Sequence, residues 1–119
     1  MVEDNKLSRE SISFRLKEEG YDTISVENSF KTLSVLDSGK FDLIISDIIM
    51  PTISGLDLLN MLKSFYFNKI PVILISSLDK QDVILSALSG GACDFVLKPI
   101  DFDKLAALVK KRLWLHASK

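Results

Sequence analysis

The chain has 119 residues, 47% hydrophobic and 26% charged, and its 15 basic and 16 acidic side chains leave a net charge of −1. That size suits one domain with a real core, expected here over residues 1–119, and the balanced charge gives no electrostatic footprint for nucleic acid. No apolar stretch nears a membrane span, the lone Cys93 excludes an internal disulfide and zinc-type spacing, and the polar start from Met1 to Lys6 carries no signal peptide, so a reducing cytoplasm is the expected compartment.

Residues 6–19 read as a helix ending at Gly20, a residue suited to the position just past a helix, with Ile12 and Leu16 as a core pair and Phe14 off that stripe. Thr23-Ile24-Ser25-Val26 reads as a short strand from its β-branched content. Asn28 or Ser29 caps a helix carrying Leu33 and Leu36 to Asp37, stopped by Ser38-Gly39. Phe41 to Ser46 is a strand whose Leu43-Ile44-Ile45 run suits burial on both faces, and Asp47 stands at its end. Pro51 and Gly55 break that pattern. A helix from Gly55 to about Phe65 then places Leu58, Leu59 and Leu62 on one face, with Phe65-Tyr66-Phe67 as the end of a core helix. Pro71 opens the strand Val72 to Ser76. Asp79 or Asp82 starts a helix to Ser89, broken by Gly90-Gly91, and Phe95-Val96-Leu97 is a short strand before Lys98-Pro99. Asp101 caps a last helix bearing Leu105, Leu108, Val109 and Leu113. The basic Lys110-Lys111-Arg112 suits that helix's dipole, and His116 reads as an exposed tail residue. Strands alternating with helices imply βαβ units, a parallel sheet and, through right-handed crossovers, helices on both faces.

Polar residues gather at the strand ends. Glu3 and Asp4 precede the first helix, Asp47 and Ser76 end two strands, and Lys98 follows another. In a doubly wound sheet the carboxyl ends of the strands open on one edge, so these residues can converge. Each alone suits a bland role: Asp47 and Ser76 as caps, Glu3 and Asp4 as a solvated terminus, Lys98 as a loop lysine. Together they form a matched set. Three carboxylates in one cleft call for a cation, and a hard divalent ion such as Mg²⁺ meets that need. A lysine and a hydroxyl beside them make a cradle for a phosphoryl group, and the carboxylate itself can be the nucleophile.

At this point the chain resembles, over essentially its whole length, the receiver domain of two-component response regulators, and is similar to single-domain chemotaxis-type regulators. Val2-Glu3-Asp4-Asn5 looks like the acidic-pair motif, and Asp47-Ile48-Ile49-Met50-Pro51 with Gly55 looks like the phosphoacceptor segment. Pro71 through Ser77 resembles the fourth strand with its hydroxyl switch, and Gly91 through Pro99 resembles the fifth-strand signature. The resemblance implies a flavodoxin-like α/β fold, a five-stranded parallel sheet of order 2-1-3-4-5 with five helices. It implies phosphoryl transfer from a histidine kinase or phosphotransfer protein to Asp47, and Mg²⁺ held by Asp4, Asp47 and the Ile49 backbone carbonyl, with Glu3 acting through water. Lys98 would pair with the phosphoryl oxygens, Ser76 would bond the phosphoryl group as a switch, Phe95 would follow as the aromatic switch, and Lys98-Pro99 would be cis.

Three departures qualify that picture. Ser76 replaces a commoner threonine and Ser77 a commoner alanine. Only Met1 and Val2 precede the acidic pair where the family has about four apolar residues, in a strand that is central in the implied order. A stub of strand, a trimmed chain or exchange with a second copy in a homodimer would each answer this, and the expectation is a shortened first strand with reduced stability. Apolar Ile49 and Leu78, two residues past Asp47 and Ser76, predict slow loss of the phosphoryl group. An aspartate-nucleophile phosphohydrolase wants a second aspartate where Ile49 stands, so turnover of a free substrate is not expected. A phosphorylation-independent interaction module is the other alternative. Output is expected through a downstream protein or an effector domain, on the face of the fourth helix, fifth strand and fifth helix, with no direct nucleic-acid or membrane contact.

Overall fold

The structure, a computed structural model, describes residues 1–37, 39–50, 53–64, 70–77 and 80–117. Phe65-Tyr66-Phe67, Leu78, Asp79 and the side chain of His116 lie outside the described residues.

The elements run α1 (Lys6–Glu18), α2 (Ser29–Asp37), β1 (Ile44–Asp47), α3 (Gly55–Ser64), β2 (Val72–Ser76), α4 (Gln81–Ser89), β3 (Asp94–Leu97) and α5 (Phe102–Ala117). Their ends follow from local chemistry. Asn5 caps α1 by accepting the Ser8 N–H at 2.9 Å. The far end closes with Tyr21 N–H on Leu16 O and Gly20 N–H on Lys17 O, with Gly20 at φ +94°, where only glycine is unstrained. Asn28 takes the Lys31 N–H at the start of α2, and Asp101 takes the Asp103 and Lys104 N–H groups at the start of α5. At α4 the expected aspartate cap is absent: Lys80 is the cap residue, and Asp82 lies inside the first turn.

Among the described residues the ladder has three parallel strands in the order β1-β2-β3. Two parallel bridges extend it, Val2 with Ser46 and Val2 with Val26. Counting these bridges as the first and second strands, the order across the sheet is 2-1-3-4-5, as the resemblance implies. Thr23 to Ser25 form no strand of their own, although their β-branched content reads as strand: the pairing of this segment is confined to Met1–Glu3, through the Met1 amine on Ile24 O, Val26 N–H on Met1 O and Glu3 N–H on Val26 O.

Alternation across the strands sorts the core into two layers. Ile44, Val72 and Leu74 pack with Leu58, Leu59 and Leu62 of α3 and Leu36 of α2. Ile45, Ile73 and Ile75 pack with Ile12 and Leu16 of α1 and Leu105 and Val109 of α5. β1 and β2 are therefore buried along their whole length, the pattern of a parallel sheet covered on both faces. Phe14, off the apolar stripe in sequence, is 66% exposed.

Candidate functional site

The sheet delivers its polar residues to one edge. Asp47 ends β1 and sits beside Ile75 in register, one residue short of Ser76, while Lys98 follows β3 and donates its backbone N–H to Ser76 O at 2.8 Å. Val2 forms the bridge that carries Glu3 and Asp4 to the same edge, since Asp47 N–H donates to Val2 O and Glu3 N–H to Val26 O. Asp47 is 4% exposed, and Glu3 and Ser76 are fully buried, whereas Asp4 faces solvent.

One carboxylate oxygen each from Glu3, Asp4 and Asp47 lies within 4.8 Å of the others. Lys98 Nζ donates to Asp47 Oδ2 at 2.7 Å and to Glu3 Oε2 at 3.2 Å. Asp47 Oδ1 takes the Ile49 N–H at 3.2 Å, so both of its oxygens are oriented. Burial first, then a hydrogen bond with Asp47, pushes the Glu3 carboxyl up from 4.5 to about 7, against the opposing pull of the Asn5 N–H. For Lys98 burial opposes the charge, but the hydrogen bonds and charges of Asp47 and then Glu3 outweigh it and hold its pKa above the ordinary value.

The structure thus brings Glu3, Asp4, Asp47, Ser76 and Lys98 together. Phe95 is half-buried in β3 beside Leu74 and packs against the α3 layer. Ile49 turns its side chain outward, 52% exposed, on the loop after Asp47. The Lys98–Pro99 bond is cis.

Residues that sequence reasoning passed over also build the site. Arg9 Nη1 donates to Glu3 O at 2.8 Å, and Asn5 N–H donates to Glu3 Oε1 at 3.1 Å, so the first turn of α1 clamps the acidic loop. Asn5 entered the sequence reading only within the acidic-pair motif, and Arg9, a polar residue on a solvated helix, gave no signal. Gly55 N–H donates to Ile48 O at 2.7 Å. A Cβ there would stand 2.2 Å from Asp47 O, so the start of α3 lies directly against the backbone that carries Asp47.

The arrangement is a buried carboxylate with a lysine on one oxygen, a hydroxyl-bearing strand end beside it and two more carboxylates in reach. Chemically it suits a nucleophilic carboxylate in an electrostatic cradle.

Comparison with known proteins agrees with this geometry. Residues 1–110 match the model of the response regulator receiver domain. The two-component response regulator-like PRR73 of Oryza sativa subsp. indica is 34% identical over 98% of this chain and 15% of its own length. The transcriptional regulatory protein CrdR of Helicobacter pylori is 30% identical over 93% of this chain and 52% of its own. The chain therefore spans about half or less of these relatives. Among solved structures, the signal receiver domain of a signal transduction histidine kinase from Syntrophus aciditrophicus superposes with a TM-score of 0.86 at 37% identity, covering 94% of this chain and 86% of that one. A response regulator receiver protein from Pseudomonas putida gives 0.88 at 31% identity, covering 92% of each. With its sheet order, its acidic edge and these likenesses, the chain belongs to the response regulator receiver domain family.

Proposed function

We propose that this domain accepts a phosphoryl group on Asp47 from a phosphohistidine on a histidine kinase or phosphotransfer protein, and that the modified site resets a partner-binding surface. The single observation that carries the reading is Asp47 itself, buried at the end of β1 with Lys98 Nζ 2.7 Å from one oxygen. In the step, an Asp47 oxygen attacks phosphorus, the P–N bond breaks as the P–O bond forms, and the donor imidazole leaves with the electron pair. Lys98 holds its charge beside the incoming phosphoryl oxygens. Ser76, at the end of β2, offers a hydroxyl for one of them, and Phe95 on β3 is the side chain that would follow its movement.

The acidic cluster fits Mg²⁺: one carboxylate oxygen each from Glu3, Asp4 and Asp47 lies within 4.8 Å of the others, three hard oxygen donors of the kind that ion takes. Asp4 and Asp47 would hold the ion, with the Ile49 carbonyl and, through water, Glu3. When bound, it supplies charge neutralisation for the phosphoryl oxygens. Substrate turnover is not part of this reading, because Ile49 stands where a hydrolase needs its general acid. The listening partner, a separate protein or an effector domain, would read the surface of α4, β3 and α5.

The test is incubation with Mg²⁺ and acetyl phosphate, followed by intact mass. The expected result is gain of one phosphoryl group, lost with a chelator and lost in Asp47→Ala. Steady release of inorganic phosphate would instead mark a hydrolase, and no mass gain a phosphorylation-independent module. Mass reads the covalent change directly, whereas Trp114 is a 68% exposed side chain on α5.

A further inference from the structure

The three carboxylates of the acidic edge are not held alike. Those of Glu3 and Asp47 accept from Lys98 Nζ and from backbone N–H groups, of Asn5 and Ile49 respectively. The Asp4 carboxylate faces solvent and takes no hydrogen bond among the described residues. Its direction is therefore set by its own backbone. The planar Glu3–Asp4 and Asp4–Asn5 peptides flank the Asp4 Cα, and a rotation of either plane swings the carboxylate. Arg9, half-buried in the first turn of α1, reaches back and holds both planes from one nitrogen. Its Nη1 donates to Glu3 O at 2.8 Å and, more weakly, to Asp4 O at 3.4 Å. Asn5 N–H, on Glu3 Oε1 at 3.1 Å, holds the second plane from its other side. Arg9 N–H in turn donates to Asn5 O at 2.9 Å, so the clamp stands on the helix. The choice of acceptor is telling. A guanidinium readily pairs with carboxylates, often two bonds at a time. Among the described residues this one takes only main-chain carbonyls, although the same two residues carry carboxylates, and the Asp4 oxygens stay open to another cation.

We propose that Arg9 is a positioning residue for the divalent ion of this site: by fixing the two peptide planes around Asp4, it aims that carboxylate at the acidic edge before the ion arrives. The inference rests on the reading above, in which Asp4 and Asp47 hold Mg²⁺. Positioning raises affinity, because a loose ligand must give up its freedom on binding. Charge acts the other way, since a guanidinium near the site repels a dication. The two effects give opposite signs when Arg9 is removed. Partners that orient a metal ligand contribute about 10–100-fold in affinity, whereas the repulsion acts between partly solvated charges and is screened by salt. Positioning therefore wins, and loss of Arg9 weakens the site.

The test is titration of the whole chain with Mg²⁺ and no phosphodonor, read by calorimetry and by the amide shifts of Asn5 and Ile49. Arg9→Met keeps an unbranched stem and loses donors and charge. Lys6→Met removes an exposed cation of the same turn, which lies 4.0 Å from Glu10, and so controls for charge. The expected result is a Kd about tenfold higher in Arg9→Met and within about twofold of the parent in Lys6→Met. In the unsubstituted protein, the backbone order parameter of Asp4 should be the same with and without Mg²⁺. An order parameter that rises on binding overturns the proposal, because the ion then orders its own ligand, and this measurement needs no variant to fold. Tighter binding by Arg9→Met also overturns it, marking Arg9 as a charge alone. So does an unchanged Kd with a lowered melting temperature, which marks a purely structural residue, and so does an equal loss in Lys6→Met. If the unsubstituted chain binds no Mg²⁺, the assignment of the metal ligands falls with the proposal; binding that is indifferent to Arg9 overturns the proposal alone.

Discussion

Glu3 is the residue on which the electrostatics of the acidic edge turn. It is fully buried, shares its surroundings with Asp47, and its carboxylate accepts from Lys98 Nζ at 3.2 Å. Its pKa of about 7 in the folded, metal-free protein stands above 4.5 for the unfolded chain. Between those values the native state binds more protons than the unfolded state, so the sign is negative: stability is full below pH 4.5 and is lost as pH rises through 7. We expect the melting temperature of metal-free protein to fall across that window, and Glu3→Gln to remove the slope. Mg²⁺ should draw the Glu3 pKa down, seen as a shift in its carboxyl ¹³C titration; an unchanged midpoint would separate Glu3 from the metal. Ile49 makes the second prediction at this scale. It is 52% exposed beside Asp47 and offers nothing to orient a water. Ile49→Asn should therefore speed decay of the phosphorylated form by about tenfold, ~1.4 kcal/mol of barrier, followed by mass spectrometry after removal of the phosphodonor. A slower or equal decay would refute the shielding role.

At the scale of elements, the junction of β1 and α3 shows how little room the site allows. Methyl addition at Gly55 puts carbon 2.2 Å from Asp47 O and 2.8 Å from Ile48 Cα, both backbone atoms that cannot swing aside. Gly55→Ala should cost about 1–3 kcal/mol in urea unfolding and should also lower phosphorylation, because relief requires moving the Asp47 backbone. The elements that sequence made legible are those specified locally. Leu58, Leu59 and Leu62 read as one helix face and are each 1% exposed, the run around Ile45 reads as a strand buried on both faces, and the run around Leu74 reads as a strand. Asn28 and Asp101 cap the helices as their side-chain chemistry suggests. The 23–26 segment reads as a fuller strand than the structure forms because strand pairing is non-local: β-branched residues form a ladder only where a neighbour supplies one, and here that neighbour is the short stretch Met1–Glu3, with one bridge at Val26. The same reason hid Arg9, whose role depends on two carbonyls brought to it by the sheet.

For the whole molecule, the decisive feature is that one residue joins two parts of the sheet. Val2 donates to Ile45 O at 2.7 Å, accepts from Asp47 N–H at 3.0 Å and lies in the bridge with Val26, while its side chain is 1% exposed in the core layer of α2 and α3. The ladder from β1 to β3 has four paired positions on each side of β2, whereas the segment carrying Val26 has one. Local opening should follow that asymmetry. Amides of Glu3 and Val26 are expected to exchange well before those of β1 that face β2, and Val2→Ala, which removes buried methyl groups at the junction, should cost about 1–3 kcal/mol. The same substitution loosens the segment that holds Glu3 and Asp4 at the acidic edge, so Mg²⁺-dependent phosphorylation of Asp47 should weaken in step with exchange at Glu3. If Val2→Ala lowers stability but leaves both exchange at Glu3 and phosphorylation unchanged, then the acidic pair is held by Arg9 and Asn5 from α1 rather than by the sheet. Discrimination between those two supports comes from Arg9→Ala, which breaks the clamp on the Glu3 carbonyl and leaves the Val2 bridges in place.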